Sequence, residues 1–232
     1  MREQTFTDET ETFTVSVRES QNPSILVLFA VGAGGNPERY VTLLESLTQI
    51  GCTVVAPHFQ RLVSLAPTEE ELMLRSRRMS LTLNAFAKSG LTVVGIGHSI
   101  GAATLIALAG GKMWLGPGQQ VNILADTRLN RIALLAPPTG FFQAPSALNE
   151  IMIPISIWVG SEDDITPPSQ SEWLVQEMHD SHTIDISVVD GVGHFSFMDQ
   201  IPPHINEPFI LPQKSRQFKK NLIPFKIHNF MP

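Results

Sequence analysis

One short segment, Gly97–Gly101, constrains the fold of this chain more than any other. It reads Gly-His-Ser-Ile-Gly, with an apolar, β-branched stretch at 91–96 before it and a small-residue, helix-favouring stretch at 102–109 after it. A strand therefore enters a sharp turn that carries Ser99 at its apex, and a helix leaves the turn. Glycine suits both flanks because the turn strains the backbone and because strand and helix pass too close for a Cβ. In this context the pattern G-x-S-x-G presents its serine as a nucleophile, which makes Ser99 the first candidate catalytic residue.

The composition restricts what else the chain can be. Its 232 residues suffice for one domain with a sizeable core, and 43% hydrophobic against 16% charged residues is typical of a compact protein. The net charge of -6 gives no reason to expect a nucleic acid partner, and no apolar run reaches the roughly 20 residues of a membrane span. The polar, acidic N-terminus predicts no secretory signal, and Cys52, the single cysteine, allows no internal disulfide. These features predict a cytoplasmic protein.

Strands and helices alternate along the chain with short connections. The predicted strands lie at 12–17, 24–30, 52–57, 91–96, 131–136, 153–159 and 183–189, the first of them at an edge. Three of the predicted helices lie at 36–50, 102–109 and 167–179. A fourth begins at the capping box Thr68–Glu71 and ends at Gly90, and the stretch 110–129 stays unassigned. This pattern predicts an α/β fold with a mostly parallel central sheet and helices on both faces. We expect this domain at 1–201, followed by a proline-containing basic tail at 202–232.

An activated serine needs a base that takes its proton and a carboxylate that orients the base. In sheets of this kind such partners lie in loops at the carboxyl ends of later strands. Two loops fit, one at 160–167 with Asp163 and one at 190–195 with His194. The order Ser99, Asp163, His194 is a known nucleophile–acid–histidine order, so we predict His194 as the base and Asp163 as the acid that orients it.

Other residues compete for these roles. Glu162 and Asp164 flank Asp163 and stay open as the acid, although the register with the flanking glycine and proline favours Asp163. The remaining histidines lie in no comparable position. His179 and His182 have the spacing of a metal pair, but no thiolate or third ligand is near them in the sequence, so a solvated helix end fits better. No metal and no organic cofactor is predicted.

Together these motifs resemble those of a known superfamily. The chain looks like an α/β-hydrolase, and within that superfamily it is similar to the predicted dienelactone-hydrolase-related and platelet-activating-factor-acetylhydrolase-like group. The pentapeptide resembles that group's elbow, Gly160–Pro167 the superfamily's acid loop, and Gly193–Phe197 the group's histidine loop. Two features depart from the pattern: Val31 stands where many relatives carry the histidine of a His-Gly pair, and the elbow holds serine where a true dienelactone hydrolase has cysteine.

The resemblance also implies an oxyanion hole. Its donors would be the N–H of Ile100 and the N–H of Ala33, which matches the usual position in the first glycine loop. That loop also fits a tight strand–helix turn. As a nucleotide-binding loop it fits poorly, because the strand at 52–57 does not end in an acidic residue.

The function that the resemblance implies is that of a serine esterase that acts through an acyl-enzyme on a small-molecule ester. The segment between Ala136 and Ile153 is too short for a large lid domain, so we expect an open site that suits small or short-acyl esters, with thioesters and lactones left open. Aromatic residues after strand ends would wall an acyl pocket, with ordinary packing as the alternative: Phe141, Phe142, Phe195 and Phe197. The alternative function is a non-catalytic ligand-binding or signalling protein on the same scaffold. A homo-oligomer is left open, because apolar tail residues at 223–230 could anchor on the sheet or on a partner subunit.

Overall fold

The protein is described here by a computed structural model, which covers residues 1–8, 11–64, 66–178, 184–201 and 203. Its strands are β1 (Arg2–Asp8), β2 (Glu11–Arg18), β3 (Ile25–Ala30), β4 (Cys52–Pro57), β5 (Thr92–His98), β6 (Trp114–Gly116), β7 (Gln119–Gln120), β8 (Leu129–Leu135), β9 (Ile155–Gly160) and β10 (Ile184–Val189). Within these residues, eight strands form one sheet in the order β1-β2-β4-β3-β5-β8-β9-β10, while β6 and β7 form a separate hairpin.

The sheet is parallel from β4 to β10, and β2 pairs antiparallel with both β1 and β4. The carboxyl ends of β3, β5, β9 and β10 therefore meet at one edge of the sheet, where ligand sites of such folds lie. The segments that follow these four strands carry the first glycine loop, Ser99, Asp163 and His194. The topology thus gathers the predicted site residues at a single edge.

Helices cover both faces of the sheet. The α-helices are α1 (Val41–Gln49), α2 (Glu69–Phe86), α3 (Ile100–Leu108) and α4 (Pro168–Met178), and short 3-10 helices lie at Pro37–Tyr40, Gly140–Phe142 and His194–Phe197. Buried residues of α1 pack on one face, and those of α2, α3 and α4 pack on the other. Strand β3 is buried on both faces, because its alternate side chains belong to the two different cores.

The structure confirms the predicted α/β fold with a mostly parallel sheet, and it also confirms the capping box. Thr68 Oγ1 accepts from the N–H of Glu71, whose side chain accepts from the N–H of Thr68. The hydrogen bonds satisfy two donors at the start of α2 that have no partner within the helix.

Several elements differ in detail from the sequence predictions. The strand predicted at an edge is β2, which lies inside the sheet because β1 covers it, and the polar sequence of β1 hid that strand from the hydrophobic pattern. The helix predicted at 36–50 begins as a 3-10 turn, in which the side chain of Asn36 accepts from the N–H of Glu38. The predicted stop at Gly90 falls beyond the end of α2 at Phe86, and the unassigned stretch 110–129 contains the hairpin β6–β7.

Between β8 and β9 the chain forms only the 3-10 turn Gly140–Phe142, with no inserted helical domain in this described segment. None of the described helices is long and apolar enough to cross a membrane. His179, His182 and the predicted tail, apart from Pro203, lie outside the described residues.

Candidate active site

Ser99 sits in the strained turn that its sequence context predicts. Its backbone has φ 54° and ψ -127°, in a left-handed region that non-glycine residues rarely adopt. A Cβ on Gly97 would come within 2.8 Å of the backbone of α3, and one on Gly101 would come within 2.2 Å of the carbonyl oxygen of Ala30. Glycine at both flanks therefore allows α3 to start directly against the end of β3. The side chain of Ser99 is left partly accessible at that edge.

A continuous run of hydrogen bonds joins the three predicted site residues. His194 Nε2 lies 3.0 Å from Ser99 Oγ, and His194 Nδ1 lies 2.9 Å from Asp163 Oδ2. Both His194 and Asp163 are buried. A neutral imidazole with its proton on Nδ1 donates to the carboxylate and leaves Nε2 free to accept from the serine hydroxyl. The structure thus brings together the three side chains that the sequence placed in separate loops.

Asp163 is held as a carboxylate by several donors. Its Oδ1 accepts from the N–H groups of Ile165 at 3.0 Å and Thr166 at 2.7 Å, and its Oδ2 accepts from the hydroxyl of Thr166 at 2.9 Å. Burial by itself raises the pKa of Asp163, but the hydrogen bond and charge of His194, together with the bonds from Thr166, hold that pKa below its ordinary value. Glu162 and Asp164, the alternative acids, are both exposed.

Thr166 is a contributor that sequence reasoning missed. Its Oγ1 lies 3.0 Å from His194 Nδ1 and 3.2 Å from the carbonyl oxygen of Ala136, in addition to its contact with Asp163. One hydroxyl therefore touches both the acid and the histidine. The available signal was its place directly before Pro167 in the acid loop, where a hydroxyl three residues after Asp163 closes back on the carboxylate.

A second buried chain of hydrogen bonds runs behind the serine. Tyr40 Oη lies 2.8 Å from His98 Nδ1, and His98 Nε2 lies 3.0 Å from the carbonyl oxygen of His194. Because a carbonyl only accepts, His98 donates through Nε2, and its Nδ1 then accepts from the tyrosine hydroxyl. Tyr40 Oη in turn accepts from the N–H of Gly32 at 3.4 Å. Burial raises the pKa of Tyr40 well above its usual value, so the phenol stays a neutral donor.

The first glycine loop lies beside the elbow. A Cβ on Gly32 would stand 3.1 Å from His98 Nδ1, so this loop touches the residue that precedes Ser99. Ile100 is the first residue of α3, and its N–H therefore has no acceptor within the helix. Ala33 is exposed in the turn closed by the N–H of Gly35 on the carbonyl oxygen of Gly32. Both predicted oxyanion donors thus lie at the edge that carries Ser99.

The four predicted pocket phenylalanines differ in placement. Phe195 is partly buried, and its ring stands edge-on to the His194 ring with 5.1 Å between centroids. Phe142 and Phe197 are each 1% exposed. Phe142 belongs to the core that α2, α3 and α4 cover, and Phe197 belongs to the core that α1 covers, which favours packing over substrate contact for both. Phe141 is partly buried against the same core and stays a predicted substrate-binding residue.

Other reactive side chains lie away from the site. Cys52 is buried at the start of β4, and burial raises the pKa of its thiol to about 11, as expected of an inert core residue. In the part of the chain that the structure describes, no three of His, Cys, Asp and Glu are grouped as a metal would require.

Comparisons with known proteins agree with this architecture. No family model matches the chain, and no curated protein matches its sequence. Among solved structures, an α/β serine hydrolase homologue from Coxiella burnetii is similar with a TM-score of 0.67 and 16% identity, over 96% of this chain and 95% of that one. The chain has the α/β-hydrolase fold.

Another structural neighbour is esterase 2 of Thermogutta terrifontis. In a structure phosphoramylated by tabun it has a TM-score of 0.66 and 13% identity, over 98% of this chain and 94% of that one. The structure of the same esterase with bound propionate has a TM-score of 0.64 and 13% identity, over 95% of this chain and 91% of that one. At these identities the likeness establishes the fold alone.

Proposed function

We propose that this protein is a serine hydrolase that cleaves small or short-acyl carboxylic esters through an acyl-enzyme. The observation that carries the proposal is the hydrogen-bonded run Ser99–His194–Asp163, with 3.0 Å and 2.9 Å between the joined atoms. Nucleophile, base and orienting acid within hydrogen-bond reach of one another are the signature of covalent catalysis by serine.

The reaction follows from this geometry. Ser99 Oγ attacks the ester carbonyl carbon while His194 Nε2 takes the hydroxyl proton, and the carbonyl π electrons move onto oxygen. The N–H groups of Ile100 and Ala33 stabilise the resulting oxyanion. When the intermediate collapses, the bond to the alkoxide breaks and His194 returns the proton to the leaving alcohol. Water then attacks the acyl carbon while His194 Nε2 takes one of its protons. When this second intermediate collapses, the bond between the acyl carbon and Ser99 Oγ breaks, His194 returns the proton to Oγ, and the carboxylic acid leaves.

Asp163 orients His194 and stabilises its imidazolium form during both steps. The depressed pKa of Asp163 supports this role, because the carboxylate stays ionised at every pH at which a neutral imidazole can act as the base. Thr166, which contacts both residues, supports the same orientation.

The short connection between β8 and β9 supports a small substrate, because no inserted domain in that described segment encloses a long acyl chain. The esterase neighbour with bound propionate is consistent with a short acyl group. Thioester and lactone substrates belong to the same mechanism and stay alternatives to the ester. Membership of the dienelactone-hydrolase-related group and a cytoplasmic location stay predictions, which rest on the motifs and on the composition.

A p-nitrophenyl ester series from acetate to palmitate tests the proposal, together with a fluorophosphonate probe. We expect the highest kcat/KM for the shortest acyl chains and stoichiometric labelling of Ser99. Ser99→Ala should abolish both activity and labelling. Ser146→Ala is the matched control, because Ser146 also has a positive φ of 63° but is exposed and distant in sequence from the elbow. Labelling that persists in Ser99→Ala, or a folded wild type that neither reacts nor turns over, would contradict the proposal.

A further inference from the structure

Arg75, on α2, reaches the first glycine loop from inside the protein. It is 2% exposed, and its Nη1 donates to the carbonyl oxygen of Val31 at 3.1 Å. Nη1 and Nη2 each lie 3.5 Å from the carbonyl oxygen of Gly32, at the outer limit of a hydrogen bond. The ring of Phe59 lies against the guanidinium, 4.7 Å from its central carbon. Arg75 is therefore fixed on two consecutive carbonyl groups.

The second of these carbonyl groups, that of Gly32, belongs to the peptide that carries the proposed oxyanion donor of Ala33. The carbonyl of Gly32 and the N–H of Ala33 are parts of one peptide, which is planar and trans, so the two groups point in opposite directions. Holding the oxygen of Gly32 inward thus turns the N–H of Ala33 outward. The preceding peptide is held at both ends, since Arg75 binds the oxygen of Val31 and Tyr40 Oη accepts from the N–H of Gly32.

A buried guanidinium is expensive to desolvate, so its presence here calls for a compensating interaction. Burial lowers the pKa of Arg75 to about 10, with Glu71 and Tyr40 acting in the opposite direction, so the group remains charged at neutral pH. A charged donor strengthens a hydrogen bond, and hydrogen bonds that share a peptide polarise one another. The carbonyl of Gly32 also accepts from the N–H of Gly35 at 3.1 Å. The Ala33 N–H becomes a better donor to a negative oxygen as a result.

We propose that Arg75 is a positioning residue of the oxyanion hole, which holds the Gly32–Ala33 peptide with its N–H toward the developing oxyanion and polarises that N–H. The proposal rests on the proposed function, because an oxyanion forms only if Ser99 attacks a carbonyl. Arg75 touches no substrate atom and acts through the backbone of the loop.

The test uses Arg75→Met and Arg75→Lys in the full chain, with Arg78→Met as the matched control. Arg78 lies on the same helix and is also buried, but it donates to Asp8 and Glu11 instead of the glycine loop. For each variant, the number of active sites is first counted by letting the fluorophosphonate react to completion. The values of kcat and KM toward p-nitrophenyl acetate are then measured, and kcat is expressed per counted site. Counting reactive sites separates a lower fraction of folded protein from slower chemistry.

We expect Arg75→Met to lower kcat about 10- to 100-fold, below the loss of a whole oxyanion donor, while KM changes little. This split follows because the oxyanion exists only in the transition state. Arg75→Lys should lose less, since an ammonium keeps the charge but lacks the forked geometry. Arg78→Met should lower stability and leave kcat per site within about twofold, as expected for a change outside the site.

An unchanged kcat per site in Arg75→Met would overturn the proposal, and so would equal losses in Arg75→Met and Arg78→Met. Should Arg75→Met fail to fold, Arg75→Lys decides, because wild-type kcat in that variant also overturns it. A wild-type protein that is neither labelled at Ser99 nor active contradicts the proposed function itself. An active wild type with unaffected Arg75 variants contradicts only the role of Arg75.

Discussion

His98 Nε2 donates to the carbonyl oxygen of His194 at 3.0 Å, so the residue before the elbow serine holds the histidine that faces that serine. The ring of His98 packs against the rings of Tyr40 and Phe197, with centroid distances of 5.7 Å and 5.8 Å. The position of His194 therefore depends on packing beneath the elbow as well as on the acid loop.

Tyr40→Phe should weaken this support without changing the shape of the core. His98 would lose its hydroxyl donor and Gly32 its acceptor, so we expect the free energy of unfolding to fall by about 1–3 kcal/mol and kcat/KM to fall with it. Chemical denaturation and ester kinetics measure the two effects. Thr82→Val, which removes a buried hydroxyl bonded to the carbonyl of Arg78, is the control that should affect stability alone. Full activity in Tyr40→Phe would show that the position of His194 does not depend on the hydrogen bond between Tyr40 and His98.

Asp163→Asn should lower kcat on the order of 10⁴-fold, by analogy with the same change in a serine protease. The amide cannot accept from every donor that surrounds Asp163, and it no longer stabilises an imidazolium on His194. Asp164→Asn, at the exposed neighbouring position, is the control and should keep activity within a few-fold. Steady-state kinetics decides the matter, and a reversed ranking would assign the acid to Asp164.

Thr166→Val keeps the shape of the side chain but removes the hydroxyl shared by Asp163 and His194. Losing one such hydrogen bond is worth about 1.5 kcal/mol, so we expect kcat/KM to fall roughly tenfold. Thr166→Ser retains the hydroxyl and should restore most of the activity. If Thr166→Ser and Thr166→Val are equally impaired, the methyl group and not the hydroxyl is what matters.

Acid should destabilise the protein partly through two carboxylates with depressed pKa values, Asp163 and Asp126. Burial by itself raises the pKa of Asp126, but hydrogen bonds from Arg128 and Ser80 and the charge of Arg128 lower it overall. Since each folded-state pKa lies below the unfolded value of about 3.9, the unfolded state binds more protons as the pH falls through that range. The stabilisation is therefore present above that range and is lost as the pH falls toward the folded-state pKa.

Unfolding free energies measured as a function of pH check this expectation. Asp126→Asn and Asp163→Asn should each flatten the loss of stability below about pH 4, because each removes one carboxylate from the linkage. Only Asp163→Asn should also cause the large loss of kcat predicted above. Identical acid slopes in the wild type and both variants would mean that neither carboxylate is stabilised by its partners.

The sequence predicted the sheet, its parallel core and the three loops that meet at its edge, because these follow from local hydrophobic runs and from glycine at tight turns. The strand β1 escaped prediction because Arg2–Asp8 is largely exposed and polar, and only its pairing with β2 defines it. The contact of His98 with His194 also escaped, since it joins residues far apart in the chain. Tyr40 is the single tyrosine of the sequence, but no local pattern indicates which residue its hydroxyl would contact.

Arg75 shows the same limit from another direction. Within α2, Leu72, Met79, Leu83 and Phe86 follow one another at steps of seven, four and three, which predicts an amphipathic helix and indicates nothing about Arg75. Its burial depends on carbonyl groups that β3 and its loop supply, which no helical pattern encodes. Hydrophobic periodicity therefore does not predict a charged side chain that is buried against backbone carbonyl groups.

At position 99, the left-handed backbone makes the residue that activity requires different from the residue that stability favours. A non-glycine residue in such a region carries on the order of 1–3 kcal/mol of strain, which glycine at position 99 would relieve. A variant library at this position, selected only for resistance to heat, should therefore become rich in glycine. The most heat-resistant proteins from such a selection would be the ones without a nucleophile, so any search for a sturdier form of this protein has to score turnover at every round.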